Sequence, residues 1–405
     1  MHNKVGRPIN YKLNALRLNS IFLYFFLSQS IFPLIYFYQT PEISNAIHTK
    51  KAVWMHIIGV IWSVIGYFTA KFAYSSKEEQ QEEQIKDKQY SFSNAFYICS
   101  YFLIIIGTIE AILQVVLLVS PMEYISQLFS RNFETEIRVA YLLPAEEGGL
   151  PGIVKMFSFA PLSIYLMSFG LINFLCLDIA DMQKLKQLNK IALLGTVIKV
   201  FFSLDNLTIM AILLANIFTA VQKDHTKKIK FFISVAIIFL LANFISSKRL
   251  EGFGFVEVVL LYFKSALVYF QLMIDTCTGY TYGFSTILAP LNLIFRFCHL
   301  PIPDFALNSY YAWEWNPAQY FLSYAFQDFG YLYFVPFYIV GILLFVLDIR
   351  VSKQNIYSSA TYFVVLYGVV SFVVVPAIRG IEFWFALLLP LALLNRFTQV
   401  INQEE

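Results

Sequence analysis

The stretch that decides the fold opens the chain: MHNKVGRPINYKLNALRLNS (1–20), followed by IFLYFFLSQSIFPLIYFY (21–38). Its first half is basic, and its second half is apolar and about long enough to cross a bilayer. Basic residues normally flank the cytoplasmic end of a membrane span. We therefore expect residues 1–19 to lie in the cytoplasm, followed by an uncleaved signal-anchor span at 20–38.

The composition extends this interpretation to the whole chain. Of the 405 residues, 58% are hydrophobic and only 14% are charged. A soluble protein of this size could not cover its surface with so few polar groups, so the sequence predicts an integral membrane protein. The net charge of +3 gives no electrostatic support to nucleic-acid binding.

The four cysteines do not show the spacing of a metal site, and the five histidines form no HExxH or paired-His motif. We therefore expect neither a metal nor another cofactor. Cys99 and Cys176 lie in apolar runs and are expected in the core. Cys277 and Cys298 fall in one predicted external region, where a disulfide and two free thiols both remain alternatives.

Apolar segments recur along the chain in the manner of a multi-pass helical protein. We predict spans at 20–38, 53–72, 95–119, 156–177, 191–203, 206–221, 231–247, 332–348, 358–376 and 380–395. The resulting cytoplasmic segments hold most of the Lys and Arg and comprise 1–19, 73–92, 178–190, 222–230, 349–357 and 396–405. The expected fold is all-α, a single polytopic membrane domain over 1–405 with about 10–12 transmembrane helices.

Two predicted external regions are long, at 120–155 and 248–331. Within the second region, Glu257, Lys264 and Gln271 recur at seven-residue spacing, which places them along one edge of a helix. This helix is expected either to lie in the membrane interface or to cross the membrane together with FSTILAPLNLIFRF.

Ionisable residues gather where the predicted spans end on the external side. They are Arg131, Glu136 and Arg138 in the first long region, Arg249 and Glu251 after the span at 231–247, and Arg379 and Glu382 in a tight turn. Such groups cost free energy at a membrane boundary unless they are paired or solvated. Each Arg could pair locally, as Arg379 with Glu382, or the arginines could share one cationic pocket. A guanidinium binds phosphate oxygens in a bidentate manner, so the pocket would suit a polyprenyl pyrophosphate or a phospholipid.

The stretch NSYYAWEWNPAQYFLSYAFQDFG (308–330) is dense in aromatic residues. The flat faces of Tyr311, Trp313 and Trp315, beside amide and carboxylate groups, would suit a carbohydrate-binding surface. The alternative is an interfacial aromatic belt, since Trp and Tyr are enriched at membrane–water boundaries.

The overall plan resembles that of the bacterial oligosaccharide repeat unit polymerases, the Wzy-type O-antigen and capsule polymerases. The resemblance rests on the many spans, on both termini inside, and on a very large external region late in the chain. It also rests on a short paired hairpin at 191–221, on Arg249 directly after the following span, and on QDFGYLYFVPFYIVGILLF (327–345). This last segment is similar to the family's DFG followed by a glycine-containing span.

This resemblance implies a multi-pass, GT-C-like glycosyltransferase of the bacterial inner membrane. Such an enzyme needs no nucleotide sugar. Such enzymes join undecaprenyl-pyrophosphate-linked repeat units at the periplasmic face, transferring the growing chain to the terminal hydroxyl of a new unit. The implied partners are the lipid-linked oligosaccharide, membrane lipids and a chain-length regulator. No cofactor is implied, and the chemistry is expected to be metal-independent.

The leaving pyrophosphate would need positioned cations to stabilise its developing charge. The expected pyrophosphate-binding residues are Arg249 and Arg379, joined by Arg131 or Arg138. The acceptor hydroxyl could also need a base, and the candidates are Asp328, Glu251 and Glu136.

Two other functions remain alternatives. An O-antigen ligase shares this architecture and acts on the same lipid. A transporter or flippase for the lipid-linked unit is less favoured, because the chain shows no internal repeat and few charges within its spans, Lys199 being the main exception.

Overall fold

The computed structural model describes residues 20–35, 50–78, 89–117, 119–128, 156–203, 206–220, 255–277, 279–301, 321–372 and 377–401, and the single positions 236, 240 and 243. Its α-helices in chain order are α1 (Ile21–Ile35), α2 (Lys50–Glu78), α3 (Asn94–Val116), α4 (Pro121–Leu128), α5 (Ala160–Phe174), α6 (Ile179–Ser203), α7 (Asn206–Ala220), α8 (Phe255–Thr276), α9 (Leu288–Phe297), α10 (Phe321–Phe329), α11 (Phe334–Ser352), α12 (Ile356–Ser371) and α13 (Ile381–Phe397). Two strands, β1 (Gln89–Phe92) and β2 (Thr398–Ile401), and three short 3₁₀ turns, Met156–Phe159, Gly330–Leu332 and Ala377–Arg379, complete the described elements.

The described part of the chain is an almost entirely helical membrane protein. Four helical segments are long and apolar enough to cross a bilayer: Lys50–Tyr74, Asn94–Val116, Met156–Phe174 and Phe334–Ser352. Shorter apolar helices lie at Ile21–Ser30, Thr208–Phe218 and Ile356–Ser371. The all-α membrane class predicted from the sequence is confirmed, and each predicted span except 231–247, which lies largely outside the described residues, falls on a helix.

Helices α2 and α11 pack tightly and run parallel. A Cβ atom on Gly66 would overlap the carbonyl oxygen of Tyr338, and one on Gly341 would overlap that of Ser63. The ring of Trp62 stacks on that of Phe334 at the start of the same contact, with 4.7 Å between centroids. Small residues let membrane helices approach until their backbones touch, so these glycines set the distance between the two helices.

The two strands correct the purely helical prediction at one end of the bundle. β1 pairs with β2 in an antiparallel manner, with Gln89 opposite Ile401. Tyr90 also forms a bridge to Leu177, and its hydroxyl donates to the carbonyl of Gln354. The structure therefore gathers at one end, called here the strand end, parts of three segments that were predicted to share the cytoplasmic side, together with the end of the predicted span 156–177.

The predicted short hairpin at 191–221 corresponds to α7 and the second half of α6, which ends at Ser203. Helix α6 is continuous over 25 residues, Ile179–Ser203, and so extends the predicted span 191–203 back through residues 179–190, the segment predicted to be cytoplasmic. The side chain of Asp178 accepts a hydrogen bond from the backbone N–H of Asp181, as an N-cap residue does. This cap starts the helix a dozen residues before its apolar half, which the hydropathy pattern alone did not reveal.

Helices α8 and α9 answer the question left open for residues 255–297. The predicted helix carrying Glu257, Lys264 and Gln271 is present as α8, Phe255–Thr276. Helix α9 has only 10 residues, about 15 Å at 1.5 Å per residue, which is half the hydrocarbon thickness of a bilayer. It is therefore too short to cross the membrane as the partner of α8. Cys277 and Cys298 on either side of this region are free thiols, so the disulfide alternative is wrong.

Candidate functional site

The candidate site lies at the end of the bundle opposite the strand end. Helix α10 is buried there from Phe321 to Asp328 and is joined to the end of α12 by a hydrogen bond from the backbone N–H of Phe321 to the carbonyl of Phe372. The carboxyl-terminal half of α10 faces the turn Thr281–Ile287 that precedes α9. The 3₁₀ turn Ala377–Arg379, between α12 and α13, lies beside this turn.

Asp328 holds the turn before α9 in place. Its side chain is 0% exposed. One carboxylate oxygen accepts hydrogen bonds from the hydroxyl of Thr281 and from the backbone N–H of Ser285 at 2.9 Å, and the other accepts from the backbone N–H of Thr286 at 2.7 Å. The carbonyl oxygen of Asp328 also accepts from the backbone N–H of Tyr282 at 3.2 Å. Both the side chain and the backbone of this residue therefore fix one short turn.

The turn that Asp328 holds has an unusual backbone. Tyr282 has a φ of 50° and Gly283 a φ of 99°, so two consecutive residues lie in the left-handed region, which is costly for a bulky side chain such as Tyr. Gly330, just after Asp328, also has a positive φ of 54°, and a Cβ atom there would overlap the ring of Tyr280. Sparsely populated backbone conformations persist only where surrounding contacts enforce them, and the hydrogen bonds of Asp328 are such contacts.

Arg379 is fixed on the other side of the same turn. Its Nε donates a hydrogen bond to the carbonyl oxygen of Ser285 at 2.7 Å, and its guanidinium carbon lies 3.4 Å from the centroid of the Tyr324 ring. Burial lowers the pKa of the Arg379 guanidinium, while Tyr324 and Asp328 raise it; Arg remains charged in proteins.

Ser285 connects the two charged residues. Its backbone N–H donates to Asp328 and its carbonyl oxygen accepts from Arg379. Asp328 and Arg379 therefore bind the two backbone polar groups of the same residue. The position of the guanidinium consequently depends on the same turn that the carboxylate stabilises.

Two buried hydroxyl groups near these residues are not satisfied within the part of the chain that the structure describes. Thr286 Oγ1, next to the Asp328 contact, and Ser323 Oγ, next to Tyr324, are buried and lack a hydrogen-bond partner. Thr286 is only 6% exposed and Ser323 only 3%. Buried polar groups without partners are rare in native proteins and invite an explanation such as a ligand.

Of the predicted site residues, the structure brings Asp328 and Arg379 together. The others lie outside the described residues: Arg131, Arg138, Arg249, Glu136, Glu251, Tyr311, Trp313 and Trp315. Thr281, Ser285, Thr286 and Tyr324 are site residues that sequence reasoning missed. In the described ranges, no group of three or more His, Cys, Asp or Glu side chains could hold a metal ion.

The fold and the site define an all-α membrane protein with a buried carboxylate and a fixed guanidinium at one end of its helical bundle. Comparison with protein-family models, with curated proteins and with solved structures finds no match to this chain.

Proposed function

We propose that this protein is a membrane glycosyltransferase that joins polyprenyl-pyrophosphate-linked oligosaccharide units, as a glycan polymerase. The growing chain leaves its lipid pyrophosphate and is transferred to the terminal hydroxyl of a new lipid-linked unit. The observation that carries the proposal is the placement of Arg379, fixed by Ser285 and Tyr324 at one end of a membrane bundle.

A fixed guanidinium suits the chemistry of a leaving pyrophosphate. The contact on Nε and the stacking on the Tyr324 ring together determine the plane of the group. A positioned cation stabilises developing negative charge without reorganising during the reaction, which is usually the largest electrostatic contribution to catalysis. In this proposal Arg379 binds the pyrophosphate, and Arg249 with Arg131 or Arg138 supply further positive charge from the external regions.

The contacts of Asp328 favour a positioning role over that of a general base. Both of its carboxylate oxygens already accept hydrogen bonds, and the side chain is fully buried. A base must reach the proton that it removes, directly or through one water molecule. Glu251 and Glu136 therefore remain the base candidates of the proposal, and Asp328 acts through the turn that carries Ser285.

The distribution of charge supports an external location for the site. The strand end carries exposed basic residues, namely Lys184, Lys186, Arg350, Lys353 and Arg396. The acidic residues Asp181 and Asp348 near the same end are buried. Basic residues are enriched on the cytoplasmic side of membrane proteins, so in this proposal the strand end faces the cytoplasm and Arg379 faces the periplasm of a bacterial inner membrane.

The proposal is tested by restoring surface polysaccharide in cells that lack the gene. The complementing variants are wild type, Arg379→Ala, Arg379→Lys and the control Arg396→Ala, which removes an exposed Arg at the other end of helix α13. Polysaccharide length is read from a gel ladder, and membrane levels of each variant are measured by immunoblot. Removal of one donor to a developing oxyanion typically costs about 10²–10³-fold in rate, so Arg379→Ala should lose the ladder while Arg396→Ala keeps it.

The pattern of failure separates the alternatives. Lipid core with a single repeat unit in the deletion strain supports a polymerase. Core with no repeat unit indicates a ligase or a flippase instead. An unchanged ladder in the deletion strain overturns the glycan proposal, and a normal ladder with Arg379→Ala overturns the role of Arg379. Arg379→Lys should restore the ladder only in part, because an ammonium keeps the charge but loses the planar fork.

A further inference from the structure

Helix α9 has one face that nothing in the described chain covers. The apolar residues on this face are Ile287, just before the helix, Leu293, Ile294 and Phe297. They recur at positions that share one side of an α-helix. Phe297 is 88% exposed, the highest exposure among the large apolar side chains described. A contiguous exposed apolar face of this kind marks a surface that contacts another protein or a membrane.

The opposite side of α9 is packed against the candidate site. The helix contacts the 3₁₀ turn Ala377–Arg379 and helix α13. Phe295 on this side packs edge-on against Phe284, with 5.2 Å between ring centroids. Helix α9 therefore packs against the turn that Asp328 and Arg379 contact. Its opposite face, with Leu293, Ile294 and Phe297, is exposed.

Exposed residues connect the spanning helix α11 with the turn before α9. Tyr331 and Leu332 are exposed directly before α11, whose exposed residues Ile339 and Leu343 lie one turn apart on a helix long enough to span a bilayer. Gly330 lies against the ring of Tyr280, and the turn before α9 begins one residue later. Tyrosines concentrate where lipid meets water, and the exposed Tyr280 and Tyr331 lie on either side of this contact, between α11 and the turn that leads into α9.

From this continuity we infer that α9 is an interfacial helix whose outer face is covered by the acyl chains of membrane lipids. A helix of this kind lies in the plane of the membrane with its apolar side in the boundary between headgroups and acyl chains. The length of α9, 10 residues, suits this position and not a crossing. The inference does not depend on the proposed enzymatic function.

One consequence is that the candidate site lies close to lipid. A helix with its side chains is about 10 Å wide, and α9 contacts the turn that carries Arg379. Acyl chains on the outer face of α9 would therefore be separated from the guanidinium by about one helix diameter. A ligand that combines an anionic group with an apolar chain could contact both without leaving the membrane.

The inference is tested with nitroxide spin labels on the full-length protein in liposomes of phosphatidylcholine and phosphatidylglycerol. Single cysteines are introduced as Ile294→Cys and Phe297→Cys in a background where Cys99, Cys176, Cys277 and Cys298 are replaced by Ala. Power saturation then compares the collision rate of each label with O₂, which concentrates in lipid, and with a water-soluble nickel chelate. Leu343→Cys serves as the lipid reference, and Lys186→Cys, from the exposed first half of α6, as the aqueous reference.

The expected result is that both α9 labels match the Leu343 reference, with high O₂ and low nickel accessibility. Nickel accessibility equal to that at Lys186 would mean that the face is in water and would overturn the inference. Low accessibility to both reagents would mean that another part of this chain or a second copy covers the face, and it would overturn the inference as well. Labelled Cys298, retained alone in a third protein, extends the profile past the end of the helix.

Discussion

The sharpest prediction concerns the three hydrogen bonds that end on the carboxylate of Asp328. In Asp328→Asn, one oxygen becomes an NH₂ group, so at least one of the donors on Thr281, Ser285 and Thr286 faces another donor. A buried donor that loses its partner costs about 1–3 kcal/mol. Asp328→Ala removes all three acceptor contacts and should cost more than Asp328→Asn, because each orphaned donor adds to the loss.

The assay combines a global and a local measurement on purified protein in detergent. Global stability is the free energy of unfolding from denaturant titration, with Asp275→Asn as the control. Asp275 forms an exposed ion pair with Lys51 at 3.3 Å, and such pairs contribute about 0–1 kcal/mol. The local readout is the rate of thiol labelling at Cys277, which is half-buried and lies just before the turn. Asp328→Asn should raise this rate, and Asp275→Asn should leave it near that of wild type.

Two outcomes would refute this reasoning in different ways. If Asp328→Asn keeps both the unfolding free energy and the labelling rate of wild type, the three contacts do not hold the turn. If it keeps both but loses polysaccharide synthesis in cells, Asp328 acts in the chemistry itself and not through Ser285. A loss of stability together with faster labelling supports the positioning role.

Two further predictions concern packing and pH. Gly341→Ala places a methyl group against a backbone carbonyl of α2 and should cost about 1–3 kcal/mol of unfolding free energy by overpacking. Its control is Gly279→Ala, where an added methyl group would meet no atom within 4 Å. Equal losses of unfolding free energy in the two variants would contradict the close approach of α2 and α11. The pKa of Asp275 is held below its ordinary value of 3.8 by the amide of Gln271 and by Lys51. Its small stabilising contribution is therefore present above pH 3.8 and lost as the pH falls below it. The difference in unfolding free energy between wild type and Asp275→Asn should shrink on acidification. A difference that grows would contradict a stabilising ion pair between Asp275 and Lys51.

The helical spans were predictable because their signal is local. An apolar run of membrane length predicts a helix without reference to any other part of the chain, and the helices at Asn94–Val116 and Phe334–Ser352 lie close to their predicted bounds. The start of α6 was not predictable in this way, because Asp178 caps the helix far outside its apolar half. It also missed β1 and β2, since the two strands pair across about three hundred residues of sequence and neither is long enough to show an alternating pattern.

The candidate site was predictable only in its charged residues. Arg379 was predicted because an ionisable group at a membrane boundary needs a reason to be there, and Asp328 was predicted as a candidate base for an acceptor hydroxyl. Their relation could not be read from the sequence, because it passes through the backbone of Ser285, and backbone N–H and carbonyl groups are present at every position. The sequence also did not show that the carboxylate of Asp328 is buried and holds a turn, because the burial of an Asp depends on residues from other parts of the chain.

The turn before α9 nevertheless carries a signal that could be sought in other chains. In TYGFST (281–286), Gly283 permits a left-handed backbone, and the N–H groups of Ser285 and Thr286 bond to Asp328 and not within the turn. Such a turn needs a hydrogen-bond acceptor from elsewhere in the chain. Asp328 supplies this acceptor through both of its side-chain oxygens, and Arg379 lies on the other side of Ser285. The position of Arg379 is therefore linked to the turn, because the residue whose N–H donates to the Asp328 carboxylate is also the residue whose carbonyl oxygen accepts from the guanidinium.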